Sequence, residues 1–347
     1  MEGRDAMTET NRQWMLTRRP EGRDLSSACE LVDGTITDLK DGDILIRNAW
    51  LSLDAGTRMW MGPRQDSYSP PTPLGSPVIG MVVGPVVESR HPDYRVGDLV
   101  RAYGQWSDYS ISRPDDVYVE RVTWTLDDLR QHLAVFGPNG WTAYLGIAEY
   151  CATKPGDTVV ISAASGVTGA LAGQVAKQMG CRVIGITGSE EKCNWITGEL
   201  GFDGAIDHTR GNVASELKAL CPDGVDVYYE NVGGQLLDDV LGNMALFGRV
   251  GICGLIINYE NDELVPGPSH FDQILMKRLT FVGFFSPDFY HRGRDVDRVM
   301  RPWYEAGKLK MVFDETQGLE NTLVAYQKLF TGAKIGKSLV TLSDPHA

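Results

Sequence analysis

The small residues at positions 163–169 carry the clearest chemical meaning in this sequence. They follow a β-branched run at 159–161 and precede a stretch in which small and apolar residues alternate up to Gly180. A second apolar run covers residues 182–186. This order predicts a strand, a tight turn, a helix and a second strand, which is the first unit of a dinucleotide-binding fold.

The predicted turn can bind a pyrophosphate. The first N–H groups of a helix lack intrahelical partners, and the helix dipole favours negative charge beside them. Ala164, Gly166 and Gly169 have little bulk, so the backbone can approach the phosphates closely. The usual motif has glycine where this chain has Ala164, and the alternative is an ordinary strand–helix turn. The strand and helix context favours the cofactor site.

The end of the second predicted strand indicates which dinucleotide binds. NAD-binding folds usually place an Asp or Glu there, whereas residues 187–189 are Thr-Gly-Ser. Gly188 and its neighbours leave room for a 2′-phosphate, and Lys192 follows one helical turn later. Glu190 and Glu191 would repel a phosphate unless they cap N–H groups or face water. The pattern favours NADPH, with a solvated Lys192 as the alternative.

Composition limits the class of protein. A length of 347 residues predicts two domains, and the net charge of −13 argues against nucleic-acid and anionic-membrane partners. The six cysteines are isolated, with no C-x-x-C pair, which argues against a zinc ribbon and indicates a reducing cytoplasmic location. The first ten residues lack an apolar signal region, and no apolar stretch is long enough to cross a membrane.

The chain has two long regions with different sequence patterns. Residues 11–135 are β-rich, with short runs such as 44–47, 78–87 and 99–102, and the proline-rich stretch 61–77 predicts a surface loop.

From 136 to 309, strands alternate with helices. The predicted strands are 158–162, 182–187, 204–207, 225–230, 248–253 and 279–284. The predicted helices are 140–151, 168–179, 190–200, 212–221, 234–246 and 269–277. This alternation predicts an α/β domain with a doubly wound, parallel six-stranded sheet.

Residues 310–347 form the third segment. A helix over 319–330 and an apolar run over 338–342 predict a return to the N-terminal domain. We therefore expect a tail at 1–10, a substrate domain of 11–135 plus 310–347, and a cofactor domain of 136–309.

The layout and a set of motifs resemble one family. The motifs are NRQWMLTRRPEG (11–22), LSLDAGTRMWM (51–61), GPNGWTAYLGI (137–147), AASGVTG, GSEEK, ENVGG (230–234), RVGICGLIINY (249–259) and GAKIGKSLV (332–340). They are similar to a zinc-independent branch of the medium-chain dehydrogenase/reductase superfamily, which holds prostaglandin reductases, alkenal double-bond reductases and curcumin reductases.

The resemblance implies a fold and a reaction. The fold is a GroES-like β-rich domain with an inserted Rossmann domain, and we expect a homodimer. In the reaction, NADPH delivers hydride to the β-carbon of an α,β-unsaturated ketone or aldehyde, and the α-carbon takes a proton. The zinc-dependent relatives have Gly-His-Glu where this chain reads Ile79-Gly80-Met81, so no catalytic metal is expected.

The resemblance also implies cofactor-binding residues. Val167, Thr168, Gly169 and Ala170 match the pyrophosphate turn. The other matches are Lys192 at the 2′-phosphate, Asn231 after the fourth strand, Cys253 to Tyr259 past the nicotinamide ribose, and Phe284, Phe285 and Ser286 beside the nicotinamide amide.

Three positions depart from the family pattern. His208 replaces a tyrosine that contacts the 2′-phosphate, a task that a histidine can perform, more strongly when protonated. Lys334 replaces an asparagine and either touches a cofactor phosphate or faces water. Asp54-Ala55-Gly56 replaces Asp-Pro-Tyr, and the missing tyrosine implies a pocket of different shape.

Catalysis needs a hydrogen-bond donor for the developing enolate. Tyr259 is our candidate because it follows a strand end that should face the cofactor, with the ribose 2′-hydroxyl as the alternative. Trp60, Tyr68, Trp106 and Phe285 are candidates for the substrate pocket, although packing is the favoured interpretation for each of them alone.

Two other functions stay open. A quinone reductase on the same fold would need the same groups. A non-catalytic NADPH-binding protein is disfavoured by the intact nicotinamide motifs. Cys253 as a nucleophile is also disfavoured, since no His or Asp partner is indicated.

Overall fold

The computed structural model describes residues 10–66, 69–123, 126–259 and 266–345. They belong to two units. Unit 1 takes its residues from 1–133, 315–331 and 338–347, and unit 2 from 134–314 and 332–337.

These units differ from the predicted domains at residues 134–135, 310–314 and 332–337, which lie in unit 2. Backbone pairing explains the difference: Gly336 N donates to Ser165 O at 2.9 Å, and Lys337 N donates to Val312 O at 3.0 Å.

Unit 1 is built from antiparallel strands. Its N-terminal elements are β1 Thr10–Leu16, β2 Cys29–Thr35, β3 Ile44–Arg47, β4 Trp50–Ser52, α1 Thr57–Met61, β5 Ser76–Pro77, β6 Ile79–Ser89, β7 Leu99–Gln105, β8 Tyr109–Ser112, β9 Val119–Arg121 and the 3-10 helix Leu129–Leu133. One sheet has the order β2-β1-β5. Pro77 lies on the short edge strand β5, where a missing N–H is tolerated.

Unit 2 contains β10 Thr158–Ile161, β11 Arg182–Thr187, β12 Gly204–Asp207, β13 Val225–Glu230, β14 Met244–Ile252 and β15 Thr280–Gly283. Its α-helices are α2 Pro138–Leu145, α3 Val167–Gln178, α4 Glu190–Gly198, α5 Val213–Leu220, α6 Gly234–Asn243, α7 Asp272–Met276 and α8 Gly293–Glu305. Shorter helical turns are Gly146–Tyr150, His208–Arg210, Ile256–Asn258 and Ser286–Arg292.

The strands of unit 2 form one parallel six-stranded sheet with the order β12-β11-β10-β13-β14-β15. This confirms the predicted doubly wound α/β fold. The central strands are apolar runs because helices cover both faces of such a sheet. Val160, Ile184, Tyr228 and Val250 are completely buried in its core.

The chain then returns to unit 1 through β16 Phe313–Gln317, the 3-10 helix Leu319–Asn321, α9 Thr322–Thr331 and β17 Lys337–Thr341. The second sheet has the order β16-β17-β4-β6-β3-β8, with β7 on β6 and β9 on β7. Val340 pairs with Leu51, which confirms the predicted return of the last strand to the N-terminal domain.

Three helices differ clearly from the sequence analysis. The helix predicted over 234–246 ends at Asn243, and residues 244–246 begin β14. The sequence pattern predicts no helix over Gly293–Glu305, where Pro302 interrupts the amide ladder and weakens the helical pattern. The helix predicted over 269–277 is shorter, Asp272–Met276. None of the helices in the described ranges is long and apolar enough to cross a bilayer.

Candidate active site

Many of the predicted cofactor-binding residues lie at the carboxyl edge of the parallel sheet, where its strands end. Gly188, His208, Asn231, Cys253 and Phe284 directly follow β11, β12, β13, β14 and β15, respectively. The predicted pyrophosphate turn follows β10. Ligands of open α/β sheets bind outside this edge, and the edge next to β10 and β13 is where the strand order reverses.

The turn between β10 and α3 fits a pyrophosphate. No side chain caps α3, and its first intrahelical bond runs from Ala170 N to Gly166 O at 2.8 Å. The N–H groups of Val167, Thr168 and Gly169 are therefore available to an anion. By contrast, α4 is capped by Ser189, whose Oγ accepts from Lys192 N at 3.3 Å.

Two backbone details of this turn differ from the expected motif. Ala163, with φ of 49°, holds the left-handed position, so a residue other than glycine makes the tight bend. Ala164 is completely buried and lies against Gly185. A Cβ on Gly169 would lie 2.6 Å from Ala163 O, so only glycine allows α3 to pack this close to the turn.

Lys192 lies at the edge predicted to hold the 2′-phosphate. Its side chain is buried, and its Nζ donates to Gly332 O at 2.6 Å. Burial lowers the pKa of Lys192. An anion at this point would stabilise the ammonium group, so the residue fits a phosphate.

Glu190 and Glu191, which could have repelled a phosphate, are both exposed. Glu190 Oε2 accepts from Arg210 at 3.0 Å, and Asp207 lies 3.7 Å from the same guanidinium. Arg210 is therefore engaged by carboxylates.

His208 lies beside Gly188. Its Nε2 is 3.1 Å from the position that a Cβ on Gly188 would take, so a side chain there would crowd the imidazole. His208 is exposed, and thus accessible to a ligand. Lys334 Nζ donates to Gly336 O at 3.1 Å, within the loop that also carries Gly332.

Asn231 is fixed by Ser162 at the end of β10. Its backbone N donates to Ser162 Oγ and its Nδ2 donates to Ser162 O, both at 2.8 Å. This pair joins the strand ends of β10 and β13, the two central strands of the sheet.

Tyr259 folds back over its own loop. Its hydroxyl accepts from Leu255 N at 3.3 Å and lies 2.9 Å from the position of a Cβ on Gly254. Burial raises the pKa of Tyr259 to about 12. The phenol therefore keeps its proton at neutral pH. Its oxygen accepts a hydrogen bond from Leu255 N through a lone pair, so the proton can still be donated to a ligand.

The surroundings of Cys253 agree with the interpretation that its thiol is not a nucleophile. Burial raises the pKa of Cys253 to about 12, so its thiol is neutral at pH 7 and the nucleophilic thiolate is scarce.

The segment at 284–286 differs from expectation in its side chains. The ring of Phe284 stacks on Tyr150, with centroids 4.9 Å apart and planes at 9°, and it also contacts Tyr229. This ring belongs to the packed interior, which leaves its backbone as the part able to contact a cofactor. Phe285 is half-buried, and Ser286 Oγ lies 3.5 Å from Tyr290 OH.

The predicted pocket residues of unit 1 have different environments. Trp106 is completely buried in the core, 5.1 Å from the ring of Tyr326, which is the packing role favoured from the sequence. Trp60 is mostly buried and meets Tyr103 edge-on at 6.1 Å. Tyr68 lies outside the described residues.

Sequence reasoning missed Ser162 and the individual roles of Glu230 and Gly254. Ser162 Oγ donates to Glu230 Oε1 between the ends of β10 and β13, and Gly254 leaves space for the Tyr259 hydroxyl. One sequence signal could have identified Glu230. It is the acidic residue at the end of β13, in the ENVGG motif, because a charged residue is rare in a buried strand.

Comparisons with known proteins agree with the fold. Two family models match, one described as the N-terminal domain of oxidoreductase over residues 12–119 and one as zinc-binding dehydrogenase over residues 167–301. Within the described ranges, however, no group of three or more His, Cys, Asp or Glu side chains could hold a metal ion.

Several relatives are similar over almost their whole length. The NADPH-dependent curcumin reductase of Escherichia coli (strain K12) is 37% identical over 345 residues, covering 96% of this chain and 98% of the relative. The NADP(+)-dependent 2-alkenal reductase of Nicotiana tabacum is 37% identical over 338 residues, with the same coverage. The crystal structure of CurA in complex with NADPH from Vibrio vulnificus has a TM-score of 0.90 and 36% identity, covering 96% of this chain and 100% of that chain.

Proposed function

The chain belongs to the zinc-independent branch of the medium-chain dehydrogenase/reductase superfamily, and on that basis we propose that it is an ene reductase. It is an NADPH-dependent oxidoreductase that acts on conjugated C=C bonds. Its proposed substrates are α,β-unsaturated ketones and aldehydes, and its products are the saturated carbonyl compounds.

The cofactor would be held along the carboxyl edge of the unit 2 sheet. The N–H groups at the start of α3 would bind the pyrophosphate. Lys192, whose buried ammonium group contacts Gly332 O, and His208, beside the small residue Gly188, would bind the 2′-phosphate. Asn231, the 253–259 loop and the backbone of 284–286 would line the nicotinamide end.

When bound, NADPH supplies the hydride that the conjugated system takes up at its β-carbon. The chain itself must stabilise the negative charge that then develops on the carbonyl oxygen. The Tyr259 hydroxyl would donate a hydrogen bond to that oxygen, because its lone pair already accepts from Leu255 N. Saturation is completed when the α-carbon takes a proton.

One observation supports this role best. The Tyr259 hydroxyl is neutral, has no acceptor for its proton among the described residues, and lies in the loop that follows β14 at the carboxyl edge of the sheet. In unit 1, Trp60 stays a proposed substrate contact.

The test is NADPH oxidation across matched substrates with product identification. An enone should be reduced, whereas the isolated alkene of the same skeleton should not, because only the enone can place the developing charge on oxygen. The product should be a saturated ketone. An allylic alcohol as product, or turnover of quinones with no turnover of enones or enals, would contradict the proposal.

A further inference from the structure

We propose that the carboxyl group of Glu230 is the positioning residue that holds the two loops of the active site in place. This inference rests on the proposed function, because it concerns the loops that carry Asn231 and Tyr259. Glu230 is the last residue of β13 and is completely buried.

The carboxyl group organises the first loop directly. Glu230 Oε1 accepts from Ser162 Oγ at 3.1 Å, from Gly233 N at 2.9 Å, and from Val232 N. Ser162 Oγ in turn accepts from Asn231 N at 2.8 Å. One oxygen atom thus determines the path of residues 231–233.

The glycines that follow fit this arrangement. Gly233 and Gly234 have φ of 87° and 60°, so the backbone turns sharply between β13 and α6. No side chain caps α6. The Glu230 carboxyl therefore satisfies amides of a turn that would otherwise be buried without partners.

The second loop is bound to the first by its backbone. Glu230 O accepts from Cys253 N at 2.9 Å and from Gly254 N at 3.1 Å. Asn231 O accepts from Ile256 N at 3.1 Å, and Val232 O accepts from Ile257 N at 3.2 Å. The loop that carries Tyr259 therefore depends on the shape of residues 230–232.

The other carboxyl oxygen indicates that the group acts without charge. Glu230 Oε2 is buried, and the buried Tyr228 hydroxyl lies beside the carboxyl group. Burial raises the pKa of Glu230, which favours the neutral acid. A glutamine at position 230 would keep an accepting oxygen where Oε1 lies. An aspartate, which is one methylene shorter, would place its oxygens farther from the donors.

The experiment compares Glu230→Gln, Glu230→Asp and Glu230→Ala with the wild-type protein. NADPH affinity is measured by fluorescence titration without substrate, and hydrogen exchange is followed at residues 230–259. Asp226→Asn is the matched control. Asp226 lies on the same strand and accepts a backbone amide, Thr158 N at 2.9 Å, but at the amino end of the sheet.

We expect Glu230→Asp and Glu230→Ala to exchange the amides of 232–233 and 253–257 faster. Their NADPH affinity should fall and kcat should drop by up to about 100-fold, the size expected when a site is displaced by about 1 Å. Glu230→Gln should restore affinity, kcat and slow exchange close to wild type. Asp226→Asn should change exchange near Thr158 and leave NADPH affinity and kcat unchanged.

The inference is overturned if Glu230→Ala keeps wild-type affinity, kcat and exchange, or if Glu230→Gln is as impaired as Glu230→Asp. If Glu230→Ala does not fold, the comparison of the Gln and Asp variants decides. Failure of the proposed function looks different: the wild-type protein would bind NADPH but reduce no enone or enal, while the exchange and affinity differences among the variants would persist.

Discussion

Lys192 is the side chain on which the choice between NADPH and NADH should depend. Its ammonium group is held by Gly332 O at 2.6 Å, at the edge where small residues replace the usual acid. A charged hydrogen bond to a phosphate contributes about 1.5–3 kcal/mol, so Lys192→Ala should raise KM for NADPH by about 10- to 150-fold. KM for NADH should change little. Steady-state kinetics with both cofactors measure this, and an equal effect on both would remove Lys192 from the phosphate site.

The same lysine predicts a pH dependence. Because burial lowers the pKa of Lys192, the free enzyme should lose this cation at a lower pH than an exposed lysine does. The value of kcat/KM for NADPH reports the free enzyme, so it should fall as pH rises through that pKa. Lys192→Arg should shift this decline to higher pH, since arginine keeps its charge. An unchanged profile in Lys192→Arg would show that another group titrates.

Gly254 should act through the Tyr259 hydroxyl. A Cβ at Gly254 would lie 2.9 Å from that oxygen, so Gly254→Ala should push the phenol away from its position. Tyr259→Phe removes the hydroxyl itself. Both variants should lower kcat, by about 10- to 1000-fold for Tyr259→Phe, with NADPH affinity nearly unchanged.

The control for Gly254→Ala is Gly198→Ala, because a Cβ at Gly198 meets no atom within 4 Å. That variant should keep wild-type kcat. A normal kcat in Tyr259→Phe would instead favour the ribose hydroxyl or water as the donor.

The turn from β10 into α3 is the secondary-structure unit that should bind the part shared by both cofactors. A Cβ at Gly169 would lie 2.6 Å from Ala163 O, so Gly169→Ala must move the start of the helix. NADPH and NADH should then both bind more weakly, by a similar factor, because both carry the pyrophosphate. Fluorescence titrations of both cofactors test this. A loss confined to NADPH would place the pyrophosphate elsewhere.

Regular elements of unit 2 could be predicted closely because their signals are local. The strands 182–187, 204–207 and 225–230 have the predicted bounds, since apolar and β-branched runs end at polar residues or glycine. The helix after the phosphate turn begins at Val167, one residue before its predicted start. Its pattern of small and apolar residues is likewise contained within the segment.

Side-chain directions could not be predicted in the same way, because they depend on residues distant in the sequence. Lys192 bonds Gly332, which lies 140 positions away. The Phe284 ring packs on Tyr150 instead of facing a ligand. Glu230 gains its role only when β10 and β13 bring Ser162 beside it. Sequence patterns predict the location of the candidate site, whereas long-range contacts determine which side-chain atoms face it.

At the scale of the whole chain, the expected homodimer stays a prediction. Unit 2 has a candidate surface for it. Among the described residues of unit 2, five large apolar side chains are more than half exposed: Leu246, Phe247, Phe271, Leu275 and Met276. Phe247 N donates to Lys277 O at 2.7 Å, which brings 246–247 next to the end of α7. Exposed apolar groups that lie together mark association surfaces, and we expect a second copy of the chain to cover these.

Light scattering should therefore give twice the chain mass of 38.2 kDa. Leu275→Glu should shift the protein towards the monomer. Val324→Glu is the control, because Val324 is an exposed apolar residue of unit 1 and its change should leave the dimer intact. A wild-type monomer, or a dimer that survives Leu275→Glu unchanged, would contradict the prediction.

The chain should also work without a metal ion, although one matching family model is described as a zinc-binding dehydrogenase. Three or four ligands are needed to bind zinc in proteins, and the described part of the chain offers no such group. Burial raises the pKa values of Cys151 and Cys253 to about 12, so both thiols are neutral at pH 7 in the metal-free protein. Activity after dialysis against a strong chelator should equal that of the untreated protein. Stoichiometric zinc in the purified protein, with activity that is lost on its removal and returns on its addition, would show instead that the reaction depends on a metal.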